Sequence, residues 1–414
     1  MNPSASTPSL SKRSLLNAAV IVAALGYFVD IYDLLLFSIV RMESLRSIGF
    51  AGRELEVGAT LNNIQMTGLM LGGILWGVLG DKRGRLSVLF GSIFLYSIGN
   101  FLNGYATTFT EYAFCRFFAG LGLAGELGAG ITLVSEVLHP SLRGYGTMIV
   151  ATVGVTGAIV GGYVAQVFDW RTAFKIGGVL GFALLLLRIS VTESGIFENT
   201  KKSKVRAGSF FSLFTKADCF GKFSRSILIG VPIWLTIGIL VTFAPEFAQD
   251  AGVVDPISTA KAVMACYAGF TVGDFLFGMI SQWMKSRNRA VALAIVCNFI
   301  AALIYLLGLK EVSSSTIYWM CGVLGATGGY WAVVCTIAAE QFGTNMRATV
   351  ATAVPNFIRF SLVPMNLAVL GLKESIGLLN ATLIVAVVVV TISLLALRGL
   401  KESFGKDLNF VEPI

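Results

Sequence analysis

Histidine is almost missing from this chain: one residue, His139, in 414. It precedes Pro140, and no nucleophile–base–orienter set accompanies it. That pattern predicts no enzyme, no metal site and no cofactor. Charge is also scarce. Asp, Glu, Lys and Arg make up 13% of the residues, against about 25% in a soluble domain. The six cysteines (115, 219, 266, 297, 321 and 335) show no paired spacing and fall mostly within apolar runs. They read as small apolar fillers, not disulfides or metal ligands. No cleavable signal peptide is evident: residues 1–14 are polar, and the apolar run that follows is too long and lacks a small-residue cleavage site.

What the chain does have is apolar length. Hydrophobic residues make up 55% of it, with 46 glycines suited to close helix packing in lipid. A membrane helix needs about 20 apolar residues. Such spans occur at roughly 15–40, 57–80, 86–106, 110–135, 145–168, 172–192, 226–247, 258–282, 290–309, 314–338, 348–370 and 375–397. The expected fold is therefore an all-α membrane protein of twelve transmembrane helices. An N-terminal six-helix bundle (15–192) and a C-terminal one (226–397) are flanked by segments 1–14 and 398–414 and joined by the linker 193–225.

Basic residues gather in alternate connections: Lys12 and Arg13, Lys82 to Arg85, Arg143, the run from Lys201 to Arg225, Lys285 to Arg289, Arg347 and the tail. The positive-inside rule then places both termini in the cytoplasm of a bacterial inner membrane. The net charge of +8 belongs to this topology and to a linker beside anionic lipid, not to nucleic acid. The halves also repeat. Gly77–Arg85 closes helix 2 as Gly278–Arg287 closes helix 8. Glu136 and Arg143 end helix 4 as Glu340 and Arg347 end helix 10. This parallel duplication is the plan expected of a two-domain transporter with its site between the domains.

The segment Gly77-Val-Leu-Gly-Asp81-Lys-Arg83-Gly-Arg85 resembles the loop motif G-x-L-x-D-R-x-G-R of the major facilitator superfamily. Asp30-Ile-Tyr-Asp33 is similar to the acidic-x-Tyr-Asp signature of its metabolite:proton symporters. Arg116 to Glu126, Asp169-Trp170-Arg171 and Thr192 to Phe197 resemble other segments of that family. Several positions differ: Asp30 stands where Glu is common, Ala124 replaces a Gly, and Gln282 stands where a second motif Asp would be. The resemblance implies a cytoplasmic gate in which Asp81 faces a helix N-terminus and Arg83 or Arg85 pairs with Glu136, with Gly77 allowing close packing. Glu340 and Arg347 are expected to form a second, weaker latch.

Six of the charges within the spans stand out: Asp30, Asp33, Arg116, Glu126, Asp274 and Arg359. A carboxylate at the centre of a membrane helix costs roughly 2.5–3.5 kcal/mol, so such groups are functional candidates by default. At about 1.5 Å rise per residue, Asp30, Asp33 and Arg116 lie near one level. The resemblance places helices 1 and 4 at the cavity, and a pair of Arg116 with Asp30 or Asp33 is expected. Glu126 and Asp274 lie deeper. Glu126 is either protonatable or a packing residue, and Asp274 lines the inner gate or bonds to helix 11.

Arg359 lies on a stripe with Asn356 and between Pro355 and Pro364. A guanidinium there favours a carboxylate or phosphate, with Trp234, Tyr330 and Trp331 as candidate aromatic walls. The expected division of labour is Asp30, Asp33, Arg116 and Glu126 for protons and Arg359 for the substrate. The expected protein is a monomeric, proton-coupled importer of a small organic anion. Proton-driven efflux is the alternative, although Gly157-Ala158-Ile-Val-Gly161-Gly162 lacks the Pro of the antiporter signature. A non-transporting membrane sensor is a third reading.

Overall fold

The computed structural model describes residues 18–83, 85–126, 143–193, 210–310, 312–343 and 346–405. All regular structure among them is helical. In lipid the backbone must satisfy its own hydrogen bonds, and a helix does so within one segment. In the first half these are α1 (Ala18–Ser47), α2 (Glu54–Arg83), α3 (Arg85–Asn103), α4 (Phe109–Leu123), α5 (Arg143–Val167) and α6 (Trp170–Glu193). The second half holds α7 (Ala217–Val241), α8 (Thr259–Trp283), α9 (Arg287–Leu307), α10 (Ser314–Glu340), α11 (Arg347–Ile376) and α12 (Leu378–Arg398). Nine helices among the described residues are long and apolar enough to cross a membrane.

Polar residues set the helix starts. Thr108 and Glu111 form a reciprocal capping box at α4. Asp169 caps α6, accepting the Arg171 N–H at 3.0 Å and the Thr172 N–H at 3.2 Å. The Thr172 hydroxyl and these N–H groups hold the Asp169 carboxyl below its usual range, against a smaller upward push from burial. Ser258, Ser286 and Ser313 cap α8, α9 and α10.

Three helices of the second half are broken. α7 interrupts its α-helical bonding at Ile229–Gly230 and runs as a π-helix over Thr236–Val241. α10 parts at Gly329–Tyr330, between Ser314–Gly328 and Trp331–Glu340. α11 parts at Ser361, three residues before Pro364, which has no N–H to return to the preceding turn.

Glycine contacts repeat across the halves. A Cβ on Gly68 of α2 would lie 2.3 Å from the Phe117 carbonyl of α4, and one on Gly269 of α8 would lie 2.0 Å from that of Gly322 in α10. Gly72 and Gly273 approach Leu121 and Ala326 in the same way. The register that relates Gly68 to Gly269 also relates Gly77 to Gly278, so the duplication extends to backbone contacts. Gly77 itself has open space around it among the described residues. The halves meet where α2 packs on α11, and where α5 and α1 pack on α8.

Candidate functional site between the two halves

α1 is buried along most of its length, and its faces do different things. Tyr27, Ile31 and Leu34 share one stripe and enter a cavity between the halves. Val155 of α5 and Ile233, Trp234 and Ile237 of α7 line it with them. Tyr267 and Phe270 of α8, Trp331 of α10 and Arg359 of α11 complete the wall. Free space in it is about 20 Å³, room for about one water.

Arg359 and Asp30 are 2% and 0% exposed and form an ion pair across the halves, Nη2 to Oδ2 at 3.4 Å. It is a long, single contact. Among the described residues, Nε and Nη1 of Arg359 and Oδ1 of Asp30 have no hydrogen-bond partner. A planar guanidinium presents its donors as a fork suited to a carboxylate, and here part of the fork is unused.

The expected pair of Arg116 with Asp30 or Asp33 takes another form. Arg116 donates to Asn100 of α3 and lies 4.7 Å over the Phe174 ring of α6. Asp33 turns the same way: a Cβ on Gly177 of α6 would lie 2.2 Å from its Oδ1. Asp33 and Arg116 interact through space inside the first bundle. Depth along the helix was readable from the sequence, whereas rotation about its axis decides the partner. Glu126 pairs with Arg188 of α6, a charge within a leucine-rich stretch.

The remaining candidates divide. Trp234 and Trp331 line the cavity, whereas Tyr330 is buried behind it, its hydroxyl donating to the Ile229 carbonyl at 3.2 Å. Asn356 spans the halves, donating to the Ala124 carbonyl at 3.0 Å. Asp274 accepts the Ala332 N–H of α10 at 3.0 Å, and among the described residues it has no bond to α11. Tyr27, Tyr267 and Phe270 also belong to the wall, and Tyr267 shares a helical stripe with Asp274. Tyr27 was detectable at helical spacing from Asp30.

Two further contacts join the halves towards the end that carries the α1–α2 and α7–α8 loops. Arg41 is fully buried and pairs with Glu246 at 2.6 Å. It also donates to the carbonyls of Glu54 at 2.8 Å and Thr242 at 3.2 Å. Asn366 of α11 donates to Asn63 of α2 at 2.8 Å. Outside Arg41 lies a vestibule of about 490 Å³ lined by Glu43, Arg46, Gln166, Gln249 and Asp255, among others.

At the opposite end, Glu340 contacts Arg287 at 3.5 Å and accepts the Ser403 hydroxyl at 2.7 Å. Arg347, its expected partner, donates to the Ala339 carbonyl at 3.2 Å. The tail closes over this end: Glu402 takes the Ser286 hydroxyl and the N–H groups of Arg287 and Asn288. Of the gate expected of Asp81, Arg83, Arg85, Glu136 and Arg143, Glu136 lies outside the described residues, and so do the side chains of the other four.

A cavity between two repeated bundles, closed by contacts that span them, defines a membrane transporter. The family model of the Major Facilitator Superfamily matches residues 16–361, and the chain belongs to that superfamily. It is 26% identical over 338 residues to the 3-(3-hydroxy-phenyl)propionate transporter of Escherichia coli K12, covering 77% of this chain and 81% of that one. It is 25% identical over 349 residues to the sialic acid transporter NanX of the same organism, covering 80% of each. To the niacin transporter NiaP of Acinetobacter baylyi it is 24% identical over 362 residues, covering 79% of this chain and 80% of that one. A solved bacterial homologue of the human lysosomal transporter Spinster superposes with a TM-score of 0.63 at 16% identity, covering 94% of this chain and 98% of that one. This last likeness speaks for the fold alone.

Proposed function

We propose that this protein imports a small organic anion, an aromatic or similarly planar carboxylate, together with protons by alternating access across a bacterial inner membrane. Both termini are cytoplasmic in this reading, which follows from the distribution of Lys and Arg. The observation that carries the proposal is the Asp30–Arg359 pair: one cation, half engaged, facing a wall of Tyr27, Trp234, Tyr267, Phe270 and Trp331. Relatives named for hydroxyphenylpropionate and niacin transport support the substrate class.

The proposed cycle uses the geometry directly. A substrate carboxylate takes the free donors of Arg359 and displaces Asp30. The released, desolvated Asp30 then binds a proton, because burial without a counter-charge favours the neutral acid. The midpoint contact between the halves is thereby replaced by one to the substrate. At the end towards the α1–α2 loop, Arg41 and Glu246 hold the entrance closed until the halves rock. Asp33 and Arg116 stay within the first bundle and orient α1.

Proteoliposomes test this. With an inward proton gradient the unsubstituted protein should accumulate labelled 3-hydroxyphenylpropionate, nicotinate or benzoate. Asp30→Asn should abolish accumulation yet retain counterflow, and Asp33→Asn should keep some accumulation. Full accumulation by Asp30→Asn would refute the assignment of Asp30, and solute expelled by the gradient would replace symport with antiport.

A further inference from the structure

We propose that Asp274 is a positioning residue: it caps the second segment of the broken helix α10 and thereby sets Trp331 as a wall of the cavity. The inference rests on the transport reading above for its functional consequence, but not for its structural basis.

A helix that begins inside a bundle exposes N–H groups with no partner in its own turn. In α10 that start is Trp331, and its N-cap residue Tyr330 offers no side-chain cap. The Tyr330 hydroxyl is committed elsewhere, to the Ile229 carbonyl at the break in α7. The missing acceptor comes from α8. Asp274 Oδ1 accepts the Ala332 N–H at 3.0 Å, the second N–H of the segment. An anion at this place also complements the positive end of the helix dipole.

The short Asp side chain reaches because the two backbones nearly touch. A Cβ on Gly329 would lie 2.7 Å from the Asp274 nitrogen, and one on Gly273 would lie 3.0 Å from the Gly329 Cα. The other half has a related device. Its α4 gives way to a turn after Leu123, and Trp76 of α2 donates to the Leu121 carbonyl at 2.6 Å. In each half, then, the second helix supplies a polar side chain where a segment of the fourth helix begins or ends. The position in α2 that corresponds to Asp274 is Gly73, so the carboxylate belongs to the second half's own site.

The consequence is local and specific. Trp331 is the first residue of the capped segment and faces the same cavity as Arg359 and Trp234. Because Asp274 occupies the segment's N-terminus, that end is closed to a substrate carboxylate, which is left with Arg359.

The test separates capping from charge, since Asp274→Asn keeps an acceptor oxygen and Asp274→Ala removes it. Hydrogen–deuterium exchange on the purified full-length protein reads the cap without any substrate. Amides 331–333 should exchange about tenfold faster in Asp274→Ala and near the parent rate in Asp274→Asn. In counterflow, Asp274→Ala and Trp331→Ala should both raise KM for an aromatic carboxylate about tenfold, with maximal exchange little changed. Asp274→Asn should restore the parent KM. Unchanged exchange in Asp274→Ala, or Asp274→Asn failing as Asp274→Ala does, overturns the proposal. If Asp274→Ala does not fold, Asp274→Asn alone decides, because a parental exchange pattern and KM are required of it. No carboxylate transport by the parent would sink the transport reading, leaving the exchange result to decide the cap.

Discussion

Replacing Arg359 with Gln leaves Asp30 0% exposed and, among the described residues, without a paired cation. At 3.4 Å the pair's mutual attraction is about 5 kcal/mol at an effective dielectric of about 20. Much of this only offsets the cost of burying both charges, so the net contribution of the intact pair is small. Breaking it from one side is different, because one charge stays buried alone; that costs about 3–5 kcal/mol. Removing both charges in Asp30→Asn/Arg359→Gln should return stability to within about 1 kcal/mol of the parent. Unfolding of the purified protein in detergent, followed across the four members of this cycle, measures the coupling. Anion affinity should move in opposite directions. Asp30→Asn removes a competitor for Arg359 and should tighten binding of an aromatic carboxylate. Arg359→Gln removes a charge-assisted hydrogen bond of about 1.5–3 kcal/mol and should weaken binding roughly 10- to 150-fold. A double substitution that loses the sum of the two single losses would refute the pairing. Weaker binding in Asp30→Asn would refute competition for Arg359.

Two other contacts make separate predictions. Arg41→Gln breaks the buried pair with Glu246, so a cysteine placed at Ile237, in the cavity behind that pair, should react several-fold faster with an impermeant maleimide; an unchanged rate would mean the pair does not hold that end closed. Burial pushes the Glu402 carboxyl up, but the Ser286 hydroxyl and the N–H groups of Phe404, Arg287 and Asn288 outweigh it and hold the group below its usual range. The tail contact is therefore complete above the unfolded pKa of about 4.3 and is lost as pH falls through the lower folded value. Amides 400–404 should show protection at pH 7 that Glu402→Gln weakens, and equal protection in both proteins would remove Glu402 from that contact.

The membrane helices were legible because lipid imposes length and apolarity on each segment separately. The duplication was legible because Gly77 and Gly278, with Glu136 and Glu340, preserve spacing. Contacts between segments were harder to read. Arg41 lay past the end of the apolar run at Val40, yet α1 continues to Ser47 and carries it into the seam. Arg188 sits in a leucine-rich stretch whose nearest acid in sequence is Glu193, whereas its partner Glu126 is two helices away. The breaks in α7 and α10 carry only weak signals, Gly230-Val-Pro232 and Gly328-Gly329, which resemble many tolerated Gly and Pro sites in membrane helices. Arg359 stood out because no charge occupies the corresponding place in the first half; Val155 does, and both line the cavity.

The face of α11 that meets the first half shows why coupling belongs at Asp30. Three buried side chains on that face reach across, Asn356 to the Ala124 carbonyl, Arg359 to Asp30 and Asn366 to Asn63, while the part-exposed Lys373 makes only a long pair with Glu56 at 3.9 Å. The two Asn contacts are neutral and contribute about 1 kcal/mol each. Neither proton nor anion binding changes their charge. The Arg359 contact responds to both: protonation of Asp30 removes its charge, and a substrate carboxylate competes for the same donors. It also lies between the other two along the helix, so weakening it loosens the seam from the middle. Asp33 has no such leverage, because its surroundings in α3, α4 and α6 all belong to its own bundle. On the proposed reading, the pair of acids in α1 therefore separates into one that couples the halves and one that holds its own half together.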